Sequence, residues 1–115
     1  MLVGDAAHTV PPAGAKGMNL AVADVVVLAA ALRALLAGGD AAPLHRYEED
    51  VLARIWRAQH LSWWMTQMLH VTADATELDR RRQPGELTSV VESEAGRRYL
   101  AEAYTGWPMA PETVL

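Results

Sequence analysis

The chain opens on three apolar residues, Met1-Leu2-Val3, closed by Gly4-Asp5. This reads as the buried carboxyl end of a β-strand, and so short a strand needs neighbours to stand. No later segment alternates apolar and polar residues convincingly. Residues 8–17 carry Pro11, Pro12, Gly14 and Gly17, a density of turn formers that predicts a loop. From Met18 to Ala37 alanine and leucine dominate and no proline interrupts, so a helix is expected, stopped by Gly38-Gly39. Its residues are apolar on nearly all sides, which predicts burial on more than one face.

Asp40 and Pro43 open a second helix, with Pro43 near the first turn, and the pattern runs to about Leu69. Apolar residues fall at Val51, Leu52, Ile55, Trp56, Trp63, Met65 and Met68, and charges at Glu48, Glu49, Asp50, Arg54 and Arg57 mark a wetter face. At 1.5 Å per residue such a helix is ~40 Å long. That is more than a small globule needs and points to a larger partner surface. Asp74 is expected to cap a short helix through Arg80-Arg81-Arg82, which Pro84 ends. A further helix is expected over about Glu86 to Val91. Ser93 caps the last one, Glu94 to Tyr104, closed by Gly106 and Pro108. The expected fold is mostly α, with four to five helices and one strand remnant. It divides into residues 1–37 (strand end, loop, helix) and a helical region over 38–115.

Composition narrows the chemistry. The 115 residues allow one small domain, and no cysteine is present, which excludes disulfides, thiolate metal sites and a cysteine nucleophile. Fourteen acidic and ten basic side chains give a net charge of −4, so no nucleic-acid surface is indicated. The longest apolar run, Ala21 to Leu32 with Asp24 inside it, is shorter than the ~20 residues of a membrane span. No basic segment precedes an apolar one at the N-terminus, so no signal peptide is read and a cytoplasmic location is expected. His60 and His70 lack metal-ligand spacing, and no metal site is expected.

The candidate chemistry lies in the first twenty residues. A strand end delivers Asp5, where a carboxylate can accept hydrogen bonds from ligand hydroxyls. A helix start near Gly17-Met18-Asn19 carries unpaired N–H groups and roughly half a positive charge, a seat for an anion or polarised carbonyl. Gly14 and Gly17 let the backbone approach a flat ligand closely. Lys16, the only lysine, adds a full charge. The same pattern also fits a plain connector between strand and helix.

The stretch Gly4-Asp5-Ala6-Ala7-His8 followed by Pro11-Pro12-Ala13-Gly14-Ala15-Lys16-Gly17-Met18-Asn19 resembles the second FAD-binding motif of the class A flavoprotein monooxygenases. Further along, Arg54-Ile55-Trp56, Ser62-Trp63-Trp64-Met65-Thr66, Ser93-Glu94-Ala95-Gly96 and Ala101-Glu102-Ala103-Tyr104-Thr105-Gly106-Trp107-Pro108 resemble the 4-hydroxybenzoate hydroxylases among them. The resemblance implies the C-terminal part of an α/β, Rossmann-like FAD/NAD(P)-binding fold. It implies FAD as cofactor, NADPH or NADH as reductant, and O2 with 4-hydroxybenzoate or a related phenol as substrates. The reaction it implies is ortho-hydroxylation through a flavin hydroperoxide, in an enzyme that is usually a homodimer.

By the same resemblance Asp5 binds the ribityl chain, and Met18 and Asn19 offer helix-start amides to the flavin pyrimidine edge. Lys16 adds charge that stabilises reduced flavin, in the manner of an oxyanion hole. Pro12 offers its carbonyl to the substrate phenol, and Tyr104 belongs to the phenol proton relay. Ala13 departs from the threonine frequent in the family. No G-x-G-x-x-G turn for the pyrophosphate is present, so these residues are expected to be inactive alone. Two rival readings stay open: another class A phenol hydroxylase, and a non-catalytic helical interaction module.

Overall fold

The computed structural model describes residues 1–106. It contains two 3-10 turns, η1 (Gly4–Ala6) and η2 (Pro12–Gly14), followed by four helices. These are α1 (Gly17–Gly38), α2 (Ala42–Leu69), α3 (Glu77–Glu92) and α4 (Glu94–Thr105). The mostly helical expectation holds. The strand remnant does not: among the described residues there is no strand. Val3 keeps extended dihedrals, φ −140° and ψ 139°, but has no neighbouring strand to pair with, and the backbone turns at once into η1.

Helices α1 and α2 start and stop where the sequence places them. At the end of α1, Gly39 takes φ 71°, and the amides of Gly39 and Asp40 return to the carbonyls of Leu35 and Ala34. These bonds satisfy two of the carbonyls a helix end leaves orphaned. Asp40 Oδ1 then accepts the Ala42 amide at 2.9 Å, and Pro43 sits in the first turn of α2. The two helices pack along one seam. Val27 of α1 joins Tyr47, Val51 and Ile55 of α2, with Val3, Leu28 and Leu52 against them.

Burial of α1 is one-sided, contrary to the all-round burial its composition predicts. Leu20, Asp24, Val27 and Ala31 face inward, while Met18, Val22, Val25, Leu32 and Leu36 form an exposed stripe. The reason is geometric, because among the described residues only η1 and α2 lie against it extensively. Helix α1 is 22 residues long and holds an 18-residue window with a mean hydropathy of 2.2, long and apolar enough to cross a membrane, which the shorter apolar run did not indicate. Here it is packed on α2 and carries a carboxylate on its inner face.

The expected break at Pro84 is absent. A single helix, α3, runs through it, and Thr76 rather than Asp74 is its cap. The Thr76 hydroxyl accepts the Asp79 amide at 3.2 Å and the Asp79 carboxylate accepts the Thr76 amide at 3.1 Å. A proline removes one backbone bond and crowds the carbonyl four residues earlier. No residue of α3 is buried, so water can take the freed carbonyl of Arg80. Both sides of Pro84 are also tied to α2. Gln83 Nε2 donates to the carbonyls of Gln67 and His70, each at 3.0 Å, and Trp64 Nε1 donates to Glu86 at 2.6 Å. Arg81 and Arg82 pair with Glu77 and Asp79 on the solvent face.

The last helix follows its signals. Ser93 Oγ accepts the Gly96 amide, and the Gly106 amide returns to Glu102. Gly96 packs so closely that a Cβ there would lie 2.4 Å from the Val90 carbonyl oxygen. Pro108, expected to close the helix with Gly106, lies outside the described residues, as does Trp107. The described chain is long rather than round, 61 × 31 × 18 Å with a radius of gyration of 18.0 Å. A compact chain of this length would have about 13 Å.

Candidate functional site

The turn that carries Asp5 is built by Gly4. Its φ of 62° is costly for other residues, and a Cβ would lie 3.1 Å from the Ala21 Cβ. The Gly4 carbonyl accepts the amides of Ala7 and His8 at 2.8 and 3.0 Å, which closes η1 and leaves Asp5 exposed on its outside. His8 is buried, and its Nε2 lies 2.7 Å from Asp24 Oδ2.

The chain then crosses the loop to η2. Pro12 is exposed, and its carbonyl accepts the Ala15 amide at 2.9 Å, so one of the two lone pairs expected for a phenol is already used. Gly14 is buried against α2. A Cβ on it would lie 2.9 Å from Ser62 Oγ and 3.3 Å from Lys16 Cγ, so the close approach expected of this glycine is made toward Ser62. Ala15 takes the left-handed conformation, φ 49°, which turns the backbone toward Lys16.

Helix α1 begins with no side chain capping it. The first bond closed by the new helix runs from the Leu20 amide to the Lys16 carbonyl at 2.9 Å. The amides of Gly17, Met18 and Asn19 therefore have no intrahelical acceptor. Met18 and Asn19 are exposed, so this end of the helix dipole is open to a ligand.

Lys16 is brought to the other end of the chain. It is 9% exposed, its Nζ donates to the Tyr104 carbonyl, and the ammonium lies 5.1 Å from the centroid of the Tyr104 ring. That carbonyl is among the last of α4, where the helix end carries partial negative charge, so Lys16 acts as a cationic cap. Burial lowers the Lys16 pKa below the usual lysine range. A cavity of about 190 Å³ opens between Lys16, Asn19, Arg54 and Thr105. Asp5 and Pro12, by contrast, have no contact with the Lys16–Tyr104 pair among the interactions described above.

Sequence reasoning passed over three residues. Asp24 appeared only as an interruption in an apolar run, yet it is 1% exposed and accepts the Gly4 amide at 3.1 Å as well as facing His8. A lone carboxylate inside an apolar helix was the available signal. Ser62 is fully buried beneath Gly14 with no hydrogen-bond partner on its hydroxyl, and Arg54 holds a buried, unpartnered Nη1 beside the cavity. No local pattern marks either. Among the described residues no group of histidine and carboxylates could hold a metal.

Lys16→Met tests the cationic cap. A hydrogen bond from a charged donor is worth about 1.5–3 kcal/mol, so amide exchange over residues 101–106 should accelerate roughly ten- to a hundredfold. Unchanged exchange would remove the contact from the account. The pH dependence has a definite sign. Between the lowered pKa of Lys16 and the ordinary lysine value the unfolded chain binds the extra proton, so wild-type stability rises with pH there. Urea unfolding should therefore show the wild type gaining on Lys16→Met as pH rises through that window.

The chain belongs to the FAD binding domain family, whose match over residues 1–62 takes in the turn, the glycine-lined loop and the open helix start. Two relatives sharpen this. The chain is 44% identical over 107 residues to a p-hydroxybenzoate hydroxylase of Acinetobacter baylyi, covering 93% of this chain and 26% of that protein. It is 35% identical over 91 residues to the FAD-dependent monooxygenase opdD of Penicillium oxalicum, covering 74% and 17%. The chain thus spans about a quarter or less of the length of these relatives.

Proposed function

We propose that these residues form the flavin-facing wall of an FAD-dependent aromatic monooxygenase that converts 4-hydroxybenzoate to 3,4-dihydroxybenzoate with O2 and NADPH or NADH. The observation that carries this reading is the 44% identity to a p-hydroxybenzoate hydroxylase along 93% of the chain. The geometry supports it. The residues present fit FAD: an exposed carboxylate at Asp5 and three uncapped amides at the start of α1, where Gly17 leaves room for a close approach.

FAD, when bound, supplies the redox chemistry that activates O2. The chain supplies binding and polarity. Asp5 accepts hydrogen bonds from ribityl hydroxyls. The amides of Met18 and Asn19 bind the carbonyl edge of the flavin ring, and Gly17 keeps that approach free of a side chain. The Lys16 charge, partly desolvated, would favour negative charge on bound flavin. Pro12 presents its remaining lone pair to the substrate phenol, and Tyr104 passes the phenol proton. Such a protein is a cytoplasmic catabolic enzyme in this reading.

A fluorescence titration of FAD with the 115-residue chain tests the cofactor reading, with circular dichroism as the check on folding. Saturable quenching is expected. Asp5→Ala should raise the dissociation constant about tenfold, the loss of roughly one hydrogen bond to a charged acceptor. Equal affinity in wild type and variant would take Asp5 out of the site.

A further inference from the structure

Asp24 does work that the packing of α1 does not require. It lies 1% exposed in the inner stripe of that helix, between Leu20 and Val27, where an apolar residue would avoid the cost of burying a carboxylate. One of its oxygens, Oδ1, has no partner at all. The other, Oδ2, makes two contacts, and both go to the same turn. It accepts the Gly4 amide at 3.1 Å and meets His8 Nε2 at 2.7 Å, which places the ring proton on Nε2. Gly4 and His8 are the two ends of the turn that displays Asp5. The turn is closed across its own base by the amides of Ala7 and His8 on the Gly4 carbonyl. Gly4 also lies close to α1, where a Cβ on it would come 3.1 Å from the Ala21 Cβ. The charge of Asp24 also reaches Tyr47, helping burial to raise that phenol's pKa.

We propose that Asp24 is a positioning residue, which clamps both ends of the Gly4–His8 turn with one carboxylate oxygen and so holds Asp5 at the place where it meets FAD. The role rests on the FAD reading given above. His8 belongs to the clamp and not to the chemistry, because its Nδ1 is buried and its Nε2 is taken by Asp24. The clamp joins residues twenty positions apart, so the turn is held by the helix whose amino end is itself part of the site. Turn and helix start then keep a fixed separation, so a ligand that spans both meets them already in place.

The test is a double-mutant cycle on the 115-residue chain, read as FAD affinity by flavin fluorescence, with helix content followed by circular dichroism. Asp24→Ala should weaken binding about tenfold in the wild-type background. In the Asp5→Ala background it should add less than about twofold, because there is no longer a carboxylate to position. Asp24→Asn keeps an amide oxygen for the Gly4 N–H and should retain affinity within about threefold of wild type. Equal losses from Asp24→Ala in both backgrounds would overturn the proposal, as would unchanged affinity in Asp24→Ala. Collapse of helix content in both Asp24 variants would also overturn it, leaving Asp24 a purely structural residue. A folded wild-type chain with no FAD binding removes the cofactor reading and this role together, and is told apart by the wild-type titration alone.

Discussion

Tyr104→Phe will slow hydroxylation by about a hundredfold or more while leaving FAD bound, when the 115 residues replace the matching quarter of the Acinetobacter baylyi relative. The size follows from the role. Proton transfer by a positioned side chain contributes roughly 10²–10⁴-fold. The substitution is clean for a structural reason. Lys16 grips Tyr104 by its backbone carbonyl and lies over its ring, and neither contact involves the phenol oxygen. Phenylalanine keeps both. The side chain is 51% exposed at the end of α4, so losing the hydroxyl leaves no buried group unpaired. Single-turnover measurement of product, beside flavin absorbance, separates chemistry from cofactor loss. Wild-type product formation would take Tyr104 out of the relay, and parallel loss of flavin would make it a packing residue.

Ile55→Ala will destabilise the chain by about 2–5 kcal/mol, the range for truncating a large aliphatic residue in a core. Ile55 sits at the centre of the α1–α2 seam with Val27, Tyr47 and Val51, and Val3 packs against the same cluster. Small domains hold about 5–15 kcal/mol in total, so a loss of this size is a large share of the whole. The cavity left by the missing atoms cannot collapse easily between two long packed helices. Urea denaturation followed by circular dichroism should show the midpoint fall steeply with the slope unchanged. A shift below about 1 kcal/mol would mean the seam does not hold the helices together.

Much of this architecture is written locally. Gly38-Gly39, Pro43, Ser93 and Gly106 mark helix ends by backbone chemistry that acts within a few residues, and the helices observe them. Asp5, Gly14, Lys16 and the amides at Met18 and Asn19 were legible as a spacing pattern. What escaped was decided at a distance. Pro84 reads as a stop because the side chains that bridge it to α2, from Gln83 and Glu86, meet partners 13 to 22 residues away. Met1-Leu2-Val3 reads as a strand because apolar run and terminator look alike whether or not a sheet is present. Burial of α1 was overestimated because composition cannot tell which faces find neighbours. Asp24 looked like a blemish in a hydrophobic helix, since its partners are a glycine amide and a histidine in another element. The pairing of Lys16 with Tyr104 has no local signature at all.

That last contact sets an order of events during synthesis. The two residues are 88 positions apart, which at ~5–20 residues per second is about 4 to 18 s of elongation. Helices α1 and α2 can pair on the ribosome while the Lys16 ammonium still lacks its carbonyl and stays in water. Only when α4 has emerged does that charge withdraw under the Tyr104 ring. A nascent chain exposed only as far as α3 would therefore have its helical seam formed and the Lys16 side chain still wet.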